Sequence, residues 1–184
     1  MKYLLDNEET DRLYFRKIDI SDFDSWLPFF KDPASFKHWI GELQEPKVEC
    51  ENWYRKQFIR YETGRGGMNA LIEKKNGNLV GHCGLLIQMV DNTVELEIGY
   101  SLLPDYINKG FATEAAIKCR DHAFQNSFSD SLISIVSLTN TPSANVAMKN
   151  GMTIKKQTVY NQNAVNIFGI HKIDWQNQNS ARTC

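Results

Sequence analysis

Residues 94–116 read VELEIGYSLLPDYINKGFATEAA, and the fold turns on how this stretch is read. Its first half belongs to a strand over 92–103, entered through the turn residues Asp91 and Asn92. Pro104 and Asp105 then open a loop of about six residues. A helix over 110–126 follows, with Ala115, Ala116, Cys119 and Phe124 among its small and apolar positions. The first turn of such a helix leaves several backbone amides unpaired, with the positive end of the helix dipole behind them. Gly110 and Ala112 let an anion approach that backbone closely. Two phosphate motifs are excluded. A Walker A loop needs a second glycine and Gly-Lys-Ser/Thr, whereas Lys109 precedes the only glycine of this loop, and a dinucleotide fingerprint needs three glycines. Local chemistry leaves two readings open, a plain turn and an anion seat.

Outward from this unit, SLISIVSL (131–138) is a short β-branched strand that should be buried, so residues 93–138 predict a parallel strand–helix–strand crossover. SANVAMKN (143–150) predicts a short helix ended by Gly151. Two strands, about 152–160 and 164–174, follow around the polar turn NQN. Upstream, RLYFRKI (12–18) alternates as an aromatic-rich strand. The next segment turns helical, with Ser21 as N-cap and Asp22 and Asp24 in the first turn. Residues 31–46 are irregular, punctuated by Pro33 and Pro46. A helix over 47–63 places Val48, Cys50, Trp53, Phe58 and Tyr61 on part of its surface. Two strands then meet at KNGN, where Asn76-Gly77 is a two-residue hairpin signal. The whole predicts a mixed α/β (α+β) domain around one sheet.

The chain has 184 residues, 42% hydrophobic and 23% charged, which suits one globular domain over 1–175 with a polar, disordered tail over 176–184. A net charge of −1 argues against a broad grip on nucleic acid or an anionic membrane. Cys50, Cys83, Cys119 and Cys184 form no C-x-x-C pair and lie near no histidine at metal-ligand spacing, so reduced cytoplasmic thiols and no metal site are expected. His38, His82, His122 and His171 form no motif, and His122 is expected on a helix surface. The amino terminus lacks a signal-peptide core, and no stretch approaches the roughly 20 apolar residues of a spanning helix.

Taken with LTNTPSANVAMKNGM (138–152), the opening stretch closely resembles the GNAT acetyltransferases, and within them the ribosomal-protein N-terminal (RimJ/RimL-like) branch. Gly110 and Ala112 match the last two anchors of that family's pyrophosphate loop, while Ile107 stands at its Arg/Gln place and Asn108 where the branch often has glycine. Asn140, Ser143, Lys149, Gly151 and Met152 match its second block, and RLYFR resembles its first strand, with Arg12 and Arg16 in the usual places. The resemblance covers about residues 10–175. It implies a mostly antiparallel sheet of about seven strands with a central parallel pair that splays apart, flanked by helices. It also implies acetyl-CoA as cosubstrate, the pantetheine arm lying between the strands at 93–103 and 131–138. The pyrophosphate would rest on the amides of Asn108, Lys109, Gly110, Phe111, Ala112 and Thr113, and an amide among Tyr100, Ser101 and Leu102 would polarise the thioester carbonyl. Asn140 and Asn145 would contact the cofactor, Asn145 standing where much of the branch has arginine.

The implied reaction needs a base for the amine. Glu95 and Glu97 lie two apart on one strand and share a face about 7 Å apart, close enough for one to help the other hold a proton. Glu97 matches the branch's Glu-Ile-Gly-Tyr pattern, whereas Glu95 also reads as a solvated position. Ser143 matches the family's candidate acid for the departing thiolate, but reads more readily as the N-cap of its helix. The acceptor would enter between the loop after the first helix and the hairpin at 160–164. Of Phe29, Phe30, Phe36 and Trp39, two should be core, with Trp39 or Phe36 left to line the acceptor groove. The acceptor that the resemblance implies would be a peptide N-terminus or a small amine such as a polyamine or aminoglycoside. Transfer of a longer acyl chain, and an acyl-CoA-binding module without turnover, are the rival readings. Monomer and homodimer both stay open.

Overall fold

The computed structural model describes residues 2–38 and 40–182. Trp39, Cys184 and the last residues of the expected tail lie outside the described residues. Seven strands form one sheet in the order β1-β2-β3-β4-β5-β7-β6. They are β1 (Leu13–Lys17), β2 (Gly66–Glu73), β3 (Leu79–Val90), β4 (Thr93–Leu102), β5 (Ser131–Ser137), β6 (Thr153–Tyr160) and β7 (Asn163–His171). The helices are α1 (Phe23–Lys31), α2 (Pro46–Glu62), α3 (Phe111–Gln125), α4 (Thr141–Lys149) and α5 (Lys172–Arg182). Every neighbouring pair is antiparallel except β4–β5, which is parallel. This is the mixed, mostly antiparallel sheet expected. Among the described residues no helix is long and apolar enough to cross a membrane.

Strand alternation divides the core between two faces. Leu85, Leu96 and Ile98 pack with Phe111, Ala115, Cys119 and Phe124 of α3 on one face. Met68, Ala70 and Leu86 pack with Trp26, Phe29 and Phe30 of α1 and Tyr54 and Tyr61 of α2 on the other. Trp26, fully buried, stacks on Phe29 at 4.5 Å between ring centroids. Burial of each large apolar side chain of this kind stabilises the fold by roughly 1.5–3 kcal/mol. Phe36 is buried against Phe29 and Phe30, so the groove expected of it is not where it lies.

Several local expectations shift, each for a visible reason. The cap before α1 is Asp19, two residues ahead of Ser21: its carboxylate accepts from the Ser21 amide at 2.9 Å, and the Asp22 carboxylate accepts in return from the Asp19 amide at 3.2 Å. Asp22 is also gripped by both Nη atoms of Arg16, at 2.7 and 2.6 Å. On α2, Tyr54 and Gln57 are buried while Val48 is exposed, and Gln57 earns its buried place by accepting from the Met68 amide at 3.1 Å. The turn at 76–77 is not a two-residue hairpin. The Glu73 amide donates to the Asn78 carbonyl across Lys74–Gly77, and Gly77 takes the left-handed conformation with its amide on the Glu73 carbonyl. Two-residue turns occur instead at Asp91-Asn92 and Asn161-Gln162, where all four φ values are positive. His122 is half-buried, its Nδ1 3.5 Å from Glu8.

The chain end departs most. β7 stops at His171, and the polar run expected to be a tail continues as α5. Trp175 anchors this helix: its ring meets Phe124 at 5.5 Å, and its Nε1–H donates to Asp121 at 2.7 Å. One aromatic side chain docks a helix that its polar sequence disguises.

Candidate active site

The parallel pair is where the sheet opens. β4 and β5 are paired at a single register position, Glu97↔Ile133. One residue further along β4, a side chain replaces the backbone ladder, as the buried Ser134 hydroxyl donates to the Ile98 carbonyl at 2.9 Å. Beyond that point the strands are unpaired, which is the splay expected. The carbonyl of Ile98 faces β5, so alternation carries the amides of Tyr100 and Leu102 to the same open edge. Ser101 pairs with His82 and turns its backbone toward β3, so of the three amides considered it is the one outside the cleft.

β4 ends in the loop singled out first. Asn108 and Gly110 both adopt left-handed φ, at 63° and 84°. Gly110 is the N-cap of α3 and supplies no capping side chain, which leaves the first-turn amides of Phe111, Ala112 and Thr113 without a side-chain cap. Left-handed residues close together in a loop, leading into an uncapped helix, make a concavity of backbone N–H groups suited to an anion. A Cβ on Gly110 would stand 3.3 Å from Arg12 Nη2 as well as strain the backbone. This geometry fits the pyrophosphate of a CoA thioester. Lys109 lies over the Tyr106 ring at 5.4 Å.

On the α3 face, Ser143 meets Tyr100. The Ser143 hydroxyl donates to the Tyr100 oxygen at 3.0 Å, and the Tyr100 phenol donates to the Ser143 carbonyl at 2.8 Å. Burial holds the Tyr100 pKa above its ordinary value, so the phenol stays protonated. Ser143 is not the N-cap of its helix. Asn140 is, and its carboxamide oxygen accepts from the Ser143 amide at 3.1 Å. That frees the Ser143 hydroxyl from capping and leaves Asn140 its Nδ2 to offer a cofactor. Asn145 is exposed on α4.

Glu97 occupies the opposite face, at the last paired position before the splay. Gln88 Nε2 donates to its carboxylate at 2.6 Å, and the Gln88 oxygen accepts in turn from Arg60 Nη2 at 2.9 Å and the Tyr160 hydroxyl at 3.1 Å. Burial raises the Glu97 pKa, and the Gln88 hydrogen bond, the Ile135 amide and the Arg60 charge offset only part of that rise. The expected push from Glu95 is not among the causes; desolvation is what lets Glu97 hold its proton longer. Arg60, Gln88 and Tyr160 escape sequence reasoning because they come from α2, β3 and β6 and share no motif.

The loop after α1 and the β6–β7 hairpin touch each other beside this face. Asn163 Nδ2 donates to the His38 carbonyl at 2.8 Å, and His38 Nδ1 lies 2.8 Å from the Thr139 hydroxyl. These are the two segments between which an acceptor was expected to enter.

Residues 12–153 match the family profile described as the acetyltransferase (GNAT) domain. The chain is 29% identical over 150 residues to the uncharacterized protein YkkB of Bacillus subtilis (strain 168), covering 80% of this chain and 85% of that one. It is 27% identical over 150 residues to the uncharacterized N-acetyltransferase p20 of Bacillus licheniformis, covering 80% and 82%. A solved acetyltransferase from Agrobacterium tumefaciens str. C58 has the same fold, with a TM-score of 0.77 at 23% identity over 93% of this chain and 97% of that one.

Proposed function

The chain belongs to the GNAT acetyltransferases and is an N-acetyltransferase that uses acetyl-CoA, and on that premise we propose how its residues divide the work. Glu97 is the base, Ser143 is the acid, and the acceptor is a primary amine, with a protein N-terminal α-amine as the leading class. The observation that carries this reading is the position of Glu97: a half-buried carboxylate of raised pKa at the last paired residue before β4 and β5 part.

Acetyl-CoA supplies an activated acyl carbonyl. The amides of Asn108, Gly110, Phe111, Ala112 and Thr113 hold its pyrophosphate, with Lys109 adding charge at the rim. The amides of Tyr100 and Leu102 hold the thioester oxygen as charge develops on it. Glu97 takes the proton that the amine loses as its nitrogen bonds the acyl carbon, and Gln88 keeps the carboxylate oriented. As the carbon–sulfur bond breaks, the Ser143 hydroxyl turns from the Tyr100 oxygen to give its proton to the thiolate, and solvent, which carries off the proton taken up by Glu97, restores it. Tyr100 holds Ser143 in place through the paired hydrogen bonds. Asn140 contacts the cofactor through Nδ2 and Asn145 from the exposed side of α4.

The leading acceptor class rests on the likeness of the Glu97-Ile98-Gly99-Tyr100 stretch and the two loop blocks to the ribosomal-protein N-terminal branch. A small amine, such as a polyamine or an aminoglycoside, is the alternative. A thiol-release assay with acetyl-CoA tests both, using peptides with free and blocked N-termini beside a panel of small amines. Release with the free-N-terminus peptides alone supports the leading class, and release with small amines alone replaces it. CoA binding without release for any amine would overturn the catalytic roles given to Glu97 and Ser143.

A further inference from the structure

Arg12 stands immediately before β1, 97 residues ahead of the loop carbonyl it touches. Its Nη1 donates to the Lys109 carbonyl at 2.9 Å. Its Nε donates to Glu114 Oε2 at 2.6 Å, and its Nη2 lies 2.5 Å from the same oxygen. The guanidinium covers the Phe111 ring at 4.3 Å. The other oxygen of Glu114 accepts from the Thr10 hydroxyl at 2.6 Å and the Arg12 amide at 3.0 Å. One end of β1 therefore clamps both the last loop carbonyl before Gly110 and the acidic residue of the first turn of α3.

We propose that Arg12 is a positioning residue for the cofactor phosphate seat. This role rests on the reading of loop 108–113 as that seat. Two physical effects support it. A peptide group is planar and trans, so anchoring the Lys109 carbonyl on Arg12 turns the Gly110 N–H to the opposite side of the loop, away from the guanidinium. That amide is one of those assigned to the pyrophosphate, and Arg12 sets its direction without touching the ligand. The second effect is charge. Glu114 is an anion in the first turn of the helix that receives a dianionic pyrophosphate, and the two would repel at short range. Arg12 neutralises the carboxylate and, with Thr10, draws it to the β1 side. Burial pushes the Glu114 pKa up, but the hydrogen bonds from Thr10 and Arg12 outweigh it and the net shift is downward, so the charge needing a partner is present at neutral pH.

Calorimetric titration of CoA into four proteins tests this: the unaltered chain, Arg12→Ala, the double variant Arg12→Ala/Glu114→Gln, and Gly110→Val. Arg12→Ala is expected to weaken CoA binding about tenfold or more, and the double variant to recover at least about threefold of that loss because the unpaired carboxylate is gone. A purely structural clamp would show no such rescue. The proposal is overturned if Arg12→Ala binds CoA as the unaltered chain does, or if the double variant binds no better than Arg12→Ala. Should Arg12→Ala not fold, Arg12→Lys carries the test: it keeps the charge, cannot bridge both partners, and is expected to weaken CoA by a few-fold; unchanged affinity counts against the proposal. Gly110→Val reports on the seat itself. Unaltered CoA affinity in that variant would mean that the loop does not hold the phosphates, a failure separate from that of Arg12.

Discussion

The loop after β4 and the pocket around Glu97 are built in opposite ways. The loop offers backbone amides, and side chains serve to hold them: Gly110 permits the conformation, Arg12 anchors the Lys109 carbonyl, and Glu114 ties α3 to β1. The pocket offers a carboxylate, and its supports are side chains from α2, β3 and β6 converging on Gln88. A backbone seat leaves a compact mark in sequence, because the glycine and small residues that allow it are adjacent. A side-chain pocket leaves none, because Arg60, Gln88, Glu97 and Tyr160 are neighbours in space alone. The contrast suits the proposed division of labour, in which the loop meets a fixed ligand and the pocket a variable one.

The largest expected effect breaks the pocket. Glu97→Gln should lower kcat by roughly 100- to 1000-fold and flatten the acid limb of the pH–rate profile, while CoA affinity stays unchanged. Steady-state rates across pH with a responsive amine check this, and an unchanged profile removes Glu97 from proton transfer. Gly110→Val breaks the loop instead. A β-branched residue at a φ of 84° carries strain of about 1–3 kcal/mol, which predicts CoA binding weaker by roughly 5- to 150-fold by calorimetry. If both variants lost CoA affinity equally, the two regions would not be separate in function.

Ser143→Ala probes the face between them. A rate loss of roughly tenfold with little change in CoA affinity is expected if its hydroxyl protonates the thiolate. An unaltered rate would leave Ser143 only as the partner of Tyr100. Gln88→Leu sharpens the account of Glu97. Its hydrogen bond favours the charged carboxylate, so removing it should move the acid limb to higher pH and lower the rate at pH 7 by a few-fold; a shift to lower pH would contradict the network.

The smallest effect is on stability. The Glu97 pKa is raised in the fold, so the folded state binds that proton more tightly than the unfolded chain does. Its contribution to stability is therefore favourable below the unfolded pKa and is lost as pH rises through the folded one. Glu97→Gln should match or exceed the parent in urea unfolding at pH 8, with the advantage shrinking as pH falls. An advantage that grows toward low pH would reverse the assigned direction of the shift.

Much of this architecture is legible in the chain itself. Alternation and turn residues mark all seven strands, and the loop at 104–113 with its following helix stands where the sequence indicates. The misses have two causes. Asp19 takes the cap from Ser21 because its carboxylate, two residues upstream, accepts from the Ser21 amide and so begins the helical turns earlier. Asn140 displaces Ser143 for a parallel reason. α5 was hidden because one residue, Trp175, docks an otherwise polar helix.

Local pattern by itself determined the strands and every helix but α5, their order and the site of the uncapped helix start, because these depend on contacts between residues close in sequence. Only the tertiary structure decided that β4 and β5 separate beyond Glu97, that Gln88 and Arg60 hold that carboxylate, and that Arg12 braces the loop. Those depend on strand register and on side chains brought together across the sheet, and no local pattern specifies which distant residue a buried carboxylate or a loop carbonyl will meet.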